Sequence, residues 1–317
     1  MKNVMFPIIL TAVIFFFAGF FLQLSLKGKG ERVSITRFAH NSLTNPLLDC
    51  EIYNDDPSTK VNSLKRKVSN LVQDRPFSVD SVSVYYRDLN NGPTFGINEN
   101  DKFAPASLLK VPLMIAYLKK TETDPTLLSQ KINYSGSHQL KENLPKSETL
   151  TMGENYTVDD LLFRMIALSD NLAFETLLSR IDISDVKTTH KDLDIIYPDQ
   201  ETPDDYITVK SYAGLFRVLF NATYLSRPMS EKALKYLTKS DFHFGIQTGI
   251  PKNVTSALKF GLREINDEGF IQIHDCGIVY HEKSPYLLCI MTKGNDKNEL
   301  VKIISKISKY IYDNVGQ

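Results

Sequence analysis

The chain has 317 residues, with 37 basic and 37 acidic side chains. Balanced charge excludes a broad electrostatic partner such as nucleic acid or an anionic membrane surface, and the length fits one large domain of about 250 residues with extras. Three cysteines make no disulfide framework. Six scattered histidines, without a His-Glu-x-x-His spacing, offer no metal site, and no cofactor is expected.

Residues 4–26 contain no charged side chain and are dominated by Phe, Ile, Leu and Val. About 20 apolar residues span a bilayer, so residues 1–26 read as a transmembrane anchor. A cleaved signal peptide is the rival, but its apolar core is shorter and ends at small residues. Phe20-Phe21-Leu22-Gln23-Leu24-Ser25-Leu26 gives no such end, and no nearby cysteine offers a lipid attachment point. Lys2 on one flank against Lys27, Lys29 and Arg32 on the other does not by itself favour an exterior domain. Residues 27–57 read as a polar linker.

Ser58 can cap a helix whose apolar positions are Val61, Leu64, Val68 and Leu71. Strands follow over 81–87 and 94–97, joined across Asn90-Asn91-Gly92, a tight-turn signal. Residues 107–240 read mainly helical, and strand-like runs occupy 270–280 and 286–292. Cys276 and Cys289 can face each other across a hairpin turning near Glu282-Lys283, although buried free thiols are the expectation. In the last segment Leu300, Ile303, Ile304, Ile307 and Ile311 share one helical face. This order predicts an α/β (α+β) fold in one domain over 58–317. An antiparallel sheet is flanked by N- and C-terminal helices, with an all-helical subdomain at about 107–240 and a site at the junction. There is no internal repeat or low-complexity tract.

Three short motifs carry chemistry: Ser107-Leu108-Leu109-Lys110, Ser169-Asp170-Asn171 and Lys259-Phe260-Gly261. A serine three residues ahead of a lysine on a helix puts hydroxyl and amine on one face, where a neutral amine can take the hydroxyl proton. Ser-x-x-Lys alone is weak, and Ser184 and Ser256 also satisfy it. Ser184 lies in a polar stretch, and on a strand Ser256 and Lys259 point to opposite faces. Only Ser107 opens a strongly apolar run, residues 111–118, the pattern of a buried helix with a positive N-terminal end. The plainer reading is that Ser107 merely caps that helix. Ser169-Asp170-Asn171 falls between two helical patterns, where a polar triplet is commonly only a loop and a cap. Asn171 offers donor and acceptor to a substrate amide, and Ser169 can relay a proton. Gly261 lets a substrate backbone approach the strand closely.

Together these motifs resemble those of the penicillin-recognising serine hydrolases, the class A β-lactamases and the transpeptidase domains of penicillin-binding proteins. The resemblance spans roughly residues 58–315 and includes Leu109-Lys110-Val111-Pro112-Leu113, His274-Asp275-Cys276-Gly277-Ile278-Val279-Tyr280 and Pro285-Tyr286. It implies Ser107 as nucleophile, Lys110 as proton acceptor and Ser169 as proton relay. Asn171 would bind the substrate amide, Lys259 would meet a substrate carboxylate, and the N–H groups of Ser107 and Leu262 would form the oxyanion hole. Such a donor contributes about 2.7–4 kcal/mol to the barrier.

Two departures qualify the expectation. The Glu-x-x-Leu-Asn stretch that supplies the deacylating base in class A enzymes is missing, and Glu201 is the only glutamate in the corresponding segment. It is a candidate base, against the alternative of a solvated loop charge. Phe260 stands where the family carries Thr or Ser, and Leu262 where a further hydroxyl is common. Phe260 is expected to pack into the core behind the strand, weakening or redirecting substrate binding.

The sequence thus predicts a membrane-anchored, monomeric, β-lactamase-like serine hydrolase whose acyl-enzyme persists. Its small-molecule partner would be a β-lactam or a peptidoglycan stem peptide. The domain is placed outside the cell membrane because those substrates are there. The alternatives are a D,D-peptidase and a non-catalytic penicillin-binding sensor or scaffold.

Overall fold

A computed structural model describes residues 32–37, 42–53, 58–90, 92–136, 150–265 and 269–315. The anchor expected over 1–26 lies outside the described residues. Among the described residues, no helix is long and apolar enough to cross a membrane.

The framework is a five-stranded antiparallel sheet, in the order β4-β3-β9-β8-β7. Its strands are β3 (Val79–Asp88), β4 (Thr94–Ile97), β7 (Ser256–Ile265), β8 (Phe270–Val279) and β9 (Tyr286–Gly294). Two small pairs stand apart, β1 (Arg32–Arg37) with β2 (Leu47–Tyr53) and β5 (Lys131–Asn133) with β6 (Asn155–Thr157). β3 and β4 pair as the predicted hairpin requires, and Gly92 takes φ 83°, where a side chain would be strained. Gly277 in β8 has no room for a side chain, since a Cβ would lie 2.0 Å from the Ala257 carbonyl oxygen of β7.

Alternation along the strands gives the sheet two apolar faces. Val82, Val84, Leu288 and Ile290 pack with α1 (Ser58–Gln73) and α8 (Lys297–Asn314) through Leu64, Val68, Ile303 and Ile307. Cys276, Ile278, Leu287, Cys289 and Met291 face the helical subdomain. That subdomain holds α2 (Lys110–Thr121), α3 (Val158–Ala167), α4 (Asn171–Leu178), α5 (Ile183–Asp192), α6 (Val209–Asn221) and α7 (Arg227–Leu237). Helix α2 is buried on every side over 111–118, as its unbroken apolar run requires. Pro112 falls in its first turn, where a missing N–H costs no intrahelical bond.

Local capping sets the helix starts. Thr157 accepts from the Asp160 N–H at α3, Thr208 forms a reciprocal capping box with Ser211 at α6, and Asp296 accepts from two N–H groups at α8. Part of the stretch read as linker docks on the domain. The backbone N–H groups of Leu43 and Thr44 and the hydroxyls of Ser42 and Thr44 all donate to the Glu231 carboxylate of α7, at 2.6–3.0 Å. Against the cost of burial, these donors hold the Glu231 carboxyl below its ordinary range.

The cysteine expectation is corrected. Cys276 and Cys289 are buried, but they are joined in a disulfide rather than free. Their residues are register partners in β8 and β9, with Cα atoms 3.9 Å apart and side chains on the same face. Composition indicated two buried thiols; the register brings them into bonding range. Alkylation of the denatured chain should therefore label Cys50 alone before reduction and all three cysteines after it. Three labelled cysteines without reductant would refute the pairing.

Candidate active site

The turn carrying Ser107 is fixed from both sides. Phe103 bridges Ile207, with N–H···O distances of 2.9 and 3.1 Å. The Ala104 N–H donates to Gln272 Oε1 at 3.0 Å, and its carbonyl pairs with His274 Nε2 at 2.9 Å. Ala106 then enters the left-handed region at φ 47°, costing roughly 1–3 kcal/mol that the surrounding contacts must offset. Ser107 follows in a 3-10 turn, Ala106–Leu109, which runs directly into α2. The buried Tyr212 hydroxyl of α6 donates to the Leu108 carbonyl at 3.0 Å.

Strand β7 closes on this turn at Gly261. A Cβ there would stand 3.0 Å from the Pro105 carbonyl oxygen and 3.1 Å from Leu108 Cγ. The glycine therefore has a packing reason within the chain itself, beside the substrate reason inferred from sequence. The plainer reading of Ser107 as a helix cap does not hold. The cap positions are Pro105 for the turn and Leu109 for α2, and neither end has a side-chain cap bond.

Lys110, Ser169, Asn171 and Lys259 converge beneath the turn. Lys110 Nζ donates to the Ser169 carbonyl, to Ser169 Oγ at 3.2 Å and to Asn171 Oδ1. Lys259 Nζ donates to the same Ser169 hydroxyl oxygen at 2.9 Å and to the Phe260 carbonyl at 3.1 Å. One hydroxyl thus sits between two lysine nitrogens. Ser169 takes φ 55°, and both of its oxygens meet Lys110. Asp170 caps α4, its Oδ1 accepting from Leu172 and Ala173 at 2.8 and 3.1 Å. The Tyr117 hydroxyl donates to the Leu177 carbonyl at 2.7 Å, tying α2 to α4 and so holding the first two motifs together.

Lys259 is 0% exposed. Burial and the neighbouring Lys110 push its pKa well below the ordinary lysine value, while Asp275 acts in the opposite sense. Phe260 requires a correction. It does not enter the core behind β7; it is half-buried, with its ring 4.2 Å from Lys259 Nζ and stacked on Phe242 at 4.0 Å. The reason is that β7 is an edge strand, beyond which the residue 238–245 segment supplies an aromatic partner.

Leu262 pairs with Ile273 in β8. Glu201 is exposed on a turn where its N–H donates to Asp199 Oδ1 at 3.1 Å. Its carboxylate makes no hydrogen bond or ion pair among the described residues. No group of three or more His, Cys, Asp or Glu side chains among the described residues could hold a metal ion.

Sequence reasoning passed over Phe242, Tyr212 and the support roles of His274 and Asp275. The last two sit side by side within a mostly apolar strand run, which was the available signal. Asp275 Oδ2 accepts from the Ile246 N–H at 2.8 Å. Burial raises its carboxyl to about 7, with the Ile246 N–H and Lys259 opposing. The folded chain therefore keeps a proton that the unfolded chain releases between 3.8 and about 7, and stability is lost as pH rises through that window. His274 is lowered from 6.5 to about 4, mainly by burial, so its contribution is lost as pH falls through its own window. Asp275→Asn keeps an acceptor for Ile246 and removes only the first effect. The Tm of this variant relative to wild type should rise from about pH 4 to about pH 7 and then level off. A difference independent of pH would show that Asp275 does not titrate in that window.

Comparison with known proteins bears on the fold and the family. The chain is 22% identical to Beta-lactamase VEB-1 of Pseudomonas aeruginosa over 283 residues, covering 81% of this chain and 91% of that protein. A solved β-lactamase from Chitinophaga pinensis superposes with a TM-score of 0.68 at 21% identity, covering 80% of this chain and 99% of the other. PBP-A gives a TM-score of 0.66 at 19% identity, covering 80% and 96%, and one structure of a PBP-A mutant is an acyl-enzyme complex with penicillin G. These structural likenesses carry the fold. The family assignment rests on residues 63–315, which match the model of the Beta-lactamase enzyme family along most of the domain: the chain belongs to that family.

Proposed function

We propose that this chain is a serine hydrolase that opens β-lactams by acyl transfer to Ser107 and releases the product slowly. The observation that carries the reading is the Ser169 hydroxyl lying 3.2 Å from Lys110 Nζ and 2.9 Å from Lys259 Nζ. A hydroxyl in that position can pass a proton between an amine base and a departing nitrogen.

In the proposed sequence Lys110, in its neutral form, takes the Ser107 hydroxyl proton as Oγ attacks the lactam carbonyl carbon. The C–N bond then breaks, and the nitrogen receives the proton from Lys110 through Ser169. A lysine ordinarily titrates near 10.4, and a base at neutral pH works best at roughly 7 to 8. A second amine, that of Lys259, is held on the same hydroxyl at 2.9 Å. The N–H groups of Ser107 and Leu262 receive the developing oxyanion. Asn171, whose Oδ1 already accepts from Lys110, keeps its amide N–H groups for a substrate carbonyl.

Slow release is supported by the missing Glu-x-x-Leu-Asn stretch and by the exposed position of Glu201. A D,D-peptidase that is acylated by β-lactams is the second reading, favoured by the likeness to PBP-A, whose mutant was captured as an acyl-enzyme with penicillin G. Residues 4–26, free of charge, are proposed as the membrane anchor.

Detergent-solubilised full chain incubated with benzylpenicillin should gain the mass of one ligand, and Ser107→Ala should gain none. Lys110→Ala should slow adduct formation by about 100-fold or more. Many turnovers with no accumulating adduct would overturn slow release, and an undiminished adduct in Ser107→Ala would overturn the nucleophile.

A further inference from the structure

Lys259 is the cation from which the resemblance expects a grip on a substrate carboxylate, yet its ammonium is covered. A lysine ammonium has three N–H donors. Ser169 Oγ takes one at 2.9 Å, the Phe260 carbonyl takes another at 3.1 Å, and the face of the Phe260 ring lies 4.2 Å from Nζ. The next cation along β7, Arg263, is ion-paired with Asp204.

The rim that covers Lys259 is built from aromatic faces. Phe242 stacks on Phe260 with ring planes 15° apart, and Phe244 packs edge-on against Phe242 at 5.6 Å while remaining 58% exposed. Backbone bonding holds the rim in place, since the Asp241 N–H next to Phe242 donates to the Ala167 carbonyl of α3 at 2.8 Å. An anion arriving at this rim meets the negative face of a π system, in front of a lysine already bonded to Ser169 Oγ and to the Phe260 carbonyl, and gives up water for little return. A neutral apolar group arriving at the same place buries surface against the rings.

Building on the proposed acylation of Ser107, we infer that Phe260, backed by Phe242, makes this site select acyl donors whose group beside the scissile bond is neutral and apolar rather than anionic. The substrate class is then an amide or lactam that carries an uncharged, flat or aliphatic substituent where penicillins carry a carboxylate. Phe260 is the residue that determines this preference, through its ring and not through contact with the reacting atoms.

Benzylpenicillin and its methyl ester differ only in the charge of that group and provide the test. Their dissociation constants would be measured on full-length Ser107→Ala, which cannot be acylated at the proposed nucleophile, with and without Phe260→Thr. With Phe260 present the ester should bind at least as tightly as the acid. Phe260→Thr should shift the acid-to-ester preference toward the acid by about tenfold or more. Phe242→Ala, a change outside the strand, should shift it in the same direction by a smaller factor. The inference is overturned if the acid is favoured by about tenfold while Phe260 is present, if neither substitution moves the ratio, or if neither ligand binds. Adducts on Ser107 in the wild type, measured alongside, keep the two readings apart. Acylation with an unmoved ratio leaves the hydrolase standing and removes the selectivity, whereas a moved ratio without acylation does the reverse.

Discussion

The close approach of β7 to the turn bearing Ser107 is the constraint on which the site depends. Gly261 permits it, because a side chain there would press on the Pro105 carbonyl and on Leu108. The turn cannot retreat: Tyr212 holds the Leu108 carbonyl from α6, and His274 and Gln272 hold Ala104 from β8. Strand and turn are therefore brought together at one spacing, and Lys259, two residues before the glycine, reaches Ser169 as a consequence. Elements far apart in the chain meet there because one position lacks a Cβ.

Placing two lysine nitrogens on one serine hydroxyl is electrostatically costly. Burial adds to the cost for Lys259, and the structure answers with Asp275 nearby and with two hydrogen-bond acceptors. The same low-dielectric setting explains why the support residues are themselves polar and buried. His274 and Asp275 hold backbone groups in place, and their hydrogen bonds limit the cost of burying them.

The aromatic rim changes what that machinery can be offered. Residue 260 is half-buried, with its ring beside Lys259 Nζ and the 238–245 segment. Stacking on Phe242 fixes it there. Membership of the β-lactamase family thus comes with a rim chemistry that differs from the hydroxyl-lined pattern of its class A members, and the scaffold beneath need not change to accommodate it.

The periodicity of α8, the strands read at 81–87, 94–97, 270–280 and 286–292, the buried run of α2 and the three motifs were all legible in the residues, because side-chain alternation is local. So was the polar character of Ser169-Asp170-Asn171 between two helices. The disulfide, the cover over Lys259 and the docking of Ser42 and Thr44 on Glu231 were not. Cys276 and Cys289 bond because β8 and β9 pair in one register, Phe260 stacks because a distant segment passes the sheet edge, and Glu231 gathers donors from nearly 190 residues away. By itself the sequence determined the local alternation of side chains along its strands and helices. Only the tertiary structure decided what meets that face, because partner choice depends on strand register and on long-range packing that no local spacing encodes.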